Sequence, residues 1–342
     1  MLAAIKTEIP RKIELKDEQI PTLNEGDLLI KVESCGVCGS DLHAFTHSKG
    51  YEFVKKPIIL GHEIAGVVVD CFHESDKCWI GKKVIIESMH YCNECDNCKD
   101  GRFSICEKNT VIGLHFNGGM AEYVKTKKRF TKSIQNNMEL KSAALSEPLA
   151  IAVHAVKKAG EIKENQVILV QGPGIIGFFV GLVCLNKGAK VILSGLERDY
   201  QTRLAKGEQF GMIPHVADRS ELTEKVDILF ECSGSTVAVS GGFHQLKKGG
   251  KAIFVALYEQ TVNLYLTDLV RNEWPIITSY GCDPIDYEEA FHLLVEKQRE
   301  LDSIISYYSL SQVEMAFNDS LNQKVLKAML LMHDQTGGMN DE

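Results

Sequence analysis

Residues 166–195, QVILVQGPGIIGFFVGLVCLNKGAKVILSG, leave few folds open. The apolar run VILVQ is too short for a buried helix and reads as a strand. A turn punctuated by Gly172, Gly174 and Gly177 follows. It opens an apolar stretch that closes on Lys187-Gly188, the pattern of a helix with a glycine cap. A second buried run, AKVILSG, comes next. Strands joined through a helix lie parallel, and parallel strands belong to a sheet covered on both faces. The alternation then continues. RDYQTRLAKGEQFG reads as a helix, VDILFECSG as a strand, TVAVSGGFHQLKKGG as a helix, and KAIFVAL and PIITSYG as strands. Residues 150–285 are therefore expected to form a doubly wound parallel sheet of the α/β class.

The rest of the chain has a different grain. KIELKDEQI, GDLLIKVES, EIAGVVVDCF, KKVIIES and AEYVKT are short β-like runs separated by turns. Tyr287 to Gln298 reads as a helix, and the tail as a helix, VEMAFNDSL, with a closing strand, KVLKAMLLM. That tail does not continue the parallel repeat, so it is expected to return to the first domain. A length of 342 residues suits two domains.

Bulk chemistry narrows the class. The formal net charge of −8 argues against a protein that binds a nucleic-acid backbone. No apolar run approaches the ~20 residues that span a bilayer. The N-terminus MLAAIKTEIPRKIEL lacks a leader pattern, so a cytoplasmic location is expected. In that reducing compartment the 11 cysteines are poor disulfide candidates. Four of them, Cys92, Cys95, Cys98 and Cys106, fall within YCNECDNCKDGRFSIC. Separations of three, three and eight let one short lobe wrap four thiolates around a tetrahedral Zn²⁺. Such a site is closed, hence structural, and the chemistry has to be sought elsewhere.

GPGIIG fits G-x-G-x-x-G in the context that gives the motif meaning: strand before, helix after, second strand within one unit. Gly172 permits the tight turn, Gly174 lets backbone approach a pyrophosphate, and Gly177 lets helix and sheet pack closely. A dinucleotide is the expected ligand. The second strand should end on an acid that holds the adenosine ribose. It ends on Gly195, with Glu197, Arg198 and Asp199 following. A small residue beside Arg198 suits a 2′-phosphate, so the reading leans to NADP. Alternatively, Glu197 or Asp199 folds back onto the ribose of NAD. Gly234, in Cys232-Ser233-Gly234, closes a strand where a cofactor crosses the sheet, or is a plain turn glycine.

SCGVCGSDLH and LGHEIAG offer Cys35, Cys38, Asp41, His43, His62 and Glu63. A cysteine, a histidine and an acid suit a zinc that keeps one position open. Spacing alone does not rank Cys38 over Cys35, and His62 reads equally well as a core histidine. Tyr51, Phe53 and Phe116 could line a substrate cleft or the core. Lys49, Lys55 and Lys56 read as solvated side chains rather than a phosphate site.

CGVCGSDLH, GHEIAG, the four-cysteine lobe, GLHFNGGMAEYV, LSEPLAIAVHA, GPGIIG and FECSG stand in one order along the chain. In that order they resemble the zinc-dependent medium-chain dehydrogenases, and among these the polyol (sorbitol, galactitol phosphate, threonine) dehydrogenase branch. The resemblance implies a GroES-like β-barrel catalytic domain from residues 1–149 and 286–342, with the zinc lobe near 90–108 and the nucleotide domain inserted at 150–285. It implies a catalytic zinc on Cys38 and His62, with Glu63 as ligand or close neighbour. Glu147 would bind the zinc or its water, where classical alcohol dehydrogenases carry cysteine. Ser40 and His43 match proton-relay positions, Asp41 would orient His62, and Cys35 is left a buried thiol. Two zinc ions and NAD(P) per chain are implied, with a small alcohol or polyol as substrate and a homodimer or homotetramer as assembly. The competing readings are a primary alcohol or aldehyde reductase and a non-catalytic NADPH-binding regulator. The retained set Cys38, His62, Glu63 and Glu147 weighs against the regulator.

Overall fold

The computed structural model describes residues 1–134 and 137–333. Residues 334–342 of the expected C-terminal segment lie outside the described residues. The chain divides into two compact units: Met1–Glu147 with Phe291–Glu342, and Pro148–Ala290.

The first unit is built on the strand Asp27–Gly36, whose residues are nearly all buried. It pairs antiparallel with Glu63–Cys71 on one side and with Lys327–Leu331, the closing strand, on the other. The registers matter for the site. Gly36 lies opposite Glu63 and also opposite Met329. The end of one strand and the starts of two others therefore meet just before Cys38. The closing strand also runs parallel to Ile305–Ser309. The tail thus joins the first unit's main sheet, as its departure from the parallel repeat suggests. Its helix, Val313–Leu321, brings Phe317 to 4.9 Å from Phe45 on the short helix Gly39–Thr46. Ala3, Ile30, Val32, Ile64, Phe317 and Leu330 belong to one buried cluster.

The second unit is a six-stranded, all-parallel sheet. Its order is Ile213–Val216, Lys190–Gly195, Val167–Gln171, Val226–Glu231, Leu246–Phe254, Ile276–Thr278. The first strand in sequence is central and the order reverses beside it, which creates a crevice at the carboxyl ends of the strands.

Three local expectations change. RDYQTRLAKGEQFG is not one helix but a 3₁₀ turn, Glu197–Asp199, a π turn, Tyr200–Leu204, and an α-helical turn, Ala205–Gln209. The π turn inserts an extra residue, and Arg203 then reaches Asp199 while Gly207 stays packed on Leu193. The helix Thr236–Gln245 stops before LKKGG, because Leu246 turns extended and already begins the next strand. Ile213–Val216 is a strand that periodicity passes over; it is short, holds Pro214 and lies at the sheet edge, where proline is tolerated.

Candidate active site

Cys38 caps the helix Gly39–Thr46. Asp41, three residues on, is fully buried and does two things there. Its Oδ2 accepts the Cys38 amide at 3.0 Å, and its Oδ1 accepts the Gly61 amide at 3.1 Å and lies 3.5 Å from His62 Nδ1. Asp41 thereby stitches the segment of Cys38 to the segment of His62. One donor atom from each of Cys38, His62 and Glu63 falls within 4.8 Å of the others. Ser40 Oγ lies 3.3 Å from Cys38 Sγ and 3.3 Å from His62 Nε2. His43 follows one helical turn later, and its ring stacks on Tyr51 at 5.0 Å. Cys35 is buried outside this set, and burial, with Asp41 adding to it, holds its thiol well above the usual range.

Glu147 opens the helix Ser146–Lys158 and is buried. Its Oε1 accepts the Ser88 hydroxyl at 2.7 Å, and its Oε2 has no hydrogen-bond partner. It stands outside the three-residue set, yet close enough to feel the charges of His62 and Glu63. Burial pushes its carboxyl up to about 7; Glu63 adds to the rise, while His62 and Ser88 oppose it. Burial works against a charged His62 ring, but Asp41 and Cys38 outweigh it and hold the ring well above its ordinary value.

Two buried carboxylate oxygens here lack a hydrogen-bond partner: Glu63 Oε1 and Glu147 Oε2. Unpartnered buried polar atoms are costly. A thiol, an imidazole and a carboxylate meeting at one point, with the Glu147 carboxyl close by, are the donor set of a zinc with an open position. The residues present fit such an ion.

The four cysteines of the lobe converge as well. Cys92 and Cys98 Sγ are 3.9 Å apart, as are Cys95 and Cys106 Sγ. These are not bonds; they match the edge of a tetrahedron with Zn–S of about 2.3 Å, roughly 3.8 Å. Backbone amides of Glu94 and Cys95 point at Cys92 Sγ and lower its pKa to about 6. Lys108 donates likewise to Cys106 Sγ. Thiolates, not thiols, ask for such donors. A third cluster, His154, Asp283 and Asp286, is different in kind. The Lys157 ammonium already sits 2.9 Å from Asp286, which makes this an ion-pair network.

In the second unit Gly172 has φ +94°, and a Cβ there would strike the backbone of Ser233 at 2.7 Å. A Cβ on Gly177 would overlap the Gly172 carbonyl. Gly174 caps the helix Ile175–Asn186 and faces open space. The loop is thus tight on the protein side and bare on the other, the cradle a pyrophosphate needs. Gly234 lies in the neighbouring turn with φ +68°. Buried Glu231 holds that turn through the Ser233 and Gly234 amides and the Tyr258 hydroxyl. Gly195 ends its strand buried against the Pro173 ring, and Arg198 is exposed. Glu197 pairs with Arg219, and Asp199 caps the Leu196 amide and faces Arg203 at 3.6 Å. Sequence reasoning missed Ser88, Glu231, Arg203 and Lys327. Only FECSG hinted at Glu231; the rest are ordinary residues in ordinary runs.

One chain that carries a β-sheet unit gathering two metal-ligand sets and a unit folded for a dinucleotide is a metal-dependent, nucleotide-using oxidoreductase. Comparison with known proteins agrees. Residues 24–136 match the alcohol dehydrogenase GroES-like domain, and residues 176–296 the zinc-binding dehydrogenase domain. D-arabitol-phosphate dehydrogenase of Enterococcus avium is 31% identical over 92% of this chain and 92% of its own. Sorbitol dehydrogenase of Halalkalibacterium halodurans is 29% identical over 96% and 99%. A crystal structure of an Escherichia coli oxidoreductase/dehydrogenase of unknown specificity superposes with a TM-score of 0.88 at 26% identity, covering 97% of this chain and 99% of that one. The chain belongs to the zinc-dependent medium-chain dehydrogenases, on their polyol dehydrogenase-like branch. It is an enzyme of the NAD(P)-using oxidoreductase class. Among the described residues no helix is long and apolar enough to cross a membrane.

Proposed function

We propose that this enzyme interconverts a secondary hydroxyl of a polyol with the ketone, using zinc held by Cys38 and His62 together with a carboxylate from Glu63 or Glu147. The convergence of Cys38, His62 and Glu63 donor atoms within 4.8 Å carries this reading. The relatives named for arabitol phosphate and sorbitol supply the substrate class. Bound zinc would supply a fixed positive charge for the reacting oxygen, and bound NAD(P) the hydride acceptor.

The chain's own groups do the remaining work. Asp41 fixes the His62 ring through Nδ1 and leaves Nε2 facing Ser40. The Ser40 hydroxyl, within 3.3 Å of both Cys38 and His62, takes the proton that the substrate hydroxyl releases. His43 sits one turn along the same helix face and carries it onward. Tyr51, stacked on His43, limits how that ring can turn. Cys92, Cys95, Cys98 and Cys106 hold a second zinc with no open position, which stiffens the lobe.

For the nucleotide, the arginines favour NADP. Both acids that could hold a ribose are already engaged, Glu197 by Arg219 and Asp199 by Arg203 and the Leu196 amide. Gly195 has no room for an acid, since a Cβ would lie 2.6 Å from Pro173 Cγ. Arg198 stays exposed and available to a 2′-phosphate. As assembly we infer a homodimer or a homotetramer. Ile276–Thr278 is the open edge of the six-stranded sheet, with Val270, Tyr280 and Ile285 exposed nearby. An open edge pairs readily with its own copy.

The direct test of the site is Cys38→Ser. Turnover should vanish while the circular dichroism spectrum persists. A fully active variant would overturn the assignment.

A further inference from the structure

We propose that Lys327, on the last strand of the chain, is a positioning residue of the metal site: it clamps the segments of Cys38 and Glu63 together and sets how tightly the metal is held. The inference rests on the reading of Cys38, His62 and Glu63 as a zinc site.

The side chain of Lys327 is only 1% exposed although lysines are almost never buried without a partner. Its ammonium donates to the carbonyl of Val37, the residue before Cys38, at 2.9 Å. The same ammonium forms an ion pair with Glu63 Oε2, the residue after His62. Lys327 therefore does for one flank of the site what Asp41 does for the other. Asp41 joins the Cys38 amide to the Gly61 amide and His62; Lys327 joins the Val37 carbonyl to Glu63.

The fold makes room for this clamp. Gly36 is opposite Glu63 in the sheet and two residues before Cys38. A Cβ on Gly36 would overlap Glu63 Oε2 and lie 2.9 Å from Lys327 Cε. Only a residue without a side chain lets the pair form at that place.

Charge gives the clamp its consequence. Cys38 and Glu63 bring acidic groups within 4.8 Å of one another, and Glu63 is fully buried. Lys327 sets a positive charge against Glu63, which otherwise has no hydrogen-bond donor for either oxygen. Partners of this kind, one step out from the ligands, typically change metal affinity about 10–100-fold. Because Lys327 lies 290 residues from Val37, the site is complete only after the closing strand has docked.

The test compares wild type with Lys327→Met, Glu63→Gln, Glu63→Gln/Lys327→Met and Cys38→Ser. Zinc content is measured by mass spectrometry and zinc release by a colorimetric chelator. Cys38→Ser identifies the catalytic ion as the zinc it lacks. Lys327→Met should keep the lobe's zinc and release the other about 10–100-fold more readily. Its Tm should match wild type more closely after chelation than with zinc bound, since what it loses is the metal's contribution. An uncompensated Glu63 could stop Lys327→Met from folding. The double variant carries no such charge, and it should release that zinc earlier than Glu63→Gln alone does. Wild-type release from folded Lys327→Met, or release from the double variant no earlier than from Glu63→Gln, overturns the clamp. If wild type and Cys38→Ser hold the same zinc, the site assignment falls, and the clamp with it.

Discussion

Residue identity shows through the sequence where neighbours along the chain do the work. The four lobe cysteines lie within fifteen positions, so their spacing alone suggests a tetrahedral site. Cys38 and Cys35 could not be ranked that way. What separates them is three-dimensional: Cys38 caps a helix beside Ser40 and faces His62, whereas Cys35 points into the core. Glu147 shows the same limit, since Ser88, which holds one of its oxygens, is 59 residues away. Two predictions belong at this scale. Ser40→Ala should lower kcat about 10²-fold with zinc content unchanged, the usual size of a lost proton-transfer group; an unchanged kcat removes Ser40 from the relay. Arg198→Ala should weaken NADP more than NAD, read as the ratio of their kcat/KM values. An unchanged ratio returns the ribose to Glu197 or Asp199.

Elements were legible where periodicity was long and apolar. Val167–Gln171, Ile175–Asn186 and Lys190–Gly195 stand where the pattern puts them, because a buried parallel strand needs a continuous apolar run. Edge elements were not, since a half-buried edge strand such as Ile213–Val216 has no reason to be apolar on both faces. The helix Asp286–Glu296 carries a prediction of its own. Burial pushes Asp286 up, but His154, Lys157 and the Asp283 amide outweigh it and hold the carboxyl below its usual range. A depressed folded pKa stabilises the fold above the unfolded value, about 3.9, and that gain is lost as pH falls through the folded value. Asp286→Asn should therefore cost about 1–3 kcal/mol at pH 7 in urea unfolding, and the gap should close below about pH 4. A gap that persists in acid would show that charge is not the cause. In the lobe, Cys95→Ser should lose one zinc and lower Tm; full zinc with unchanged Tm contradicts a structural site.

At the scale of the molecule, the first unit is assembled from both ends of the chain. The return of the tail was legible as a break in the parallel repeat, but its purpose was not. The closing strand fills the sheet beside Asp27–Gly36 and delivers Lys327 to the flank of the metal site. No local pattern distinguishes a buried lysine in KVLKAMLLM from a solvated one. The central claim is that these residues make a zinc-dependent polyol oxidoreductase. The zinc-loaded protein should be presented with polyols, sugar-alcohol phosphates and simple secondary alcohols, each with NAD and with NADP, and followed by the absorbance of the reduced nicotinamide. The account predicts turnover of a polyol, faster with NADP, abolished by Cys38→Ser. No turnover of any member of the panel, with zinc and cofactor bound, would contradict it.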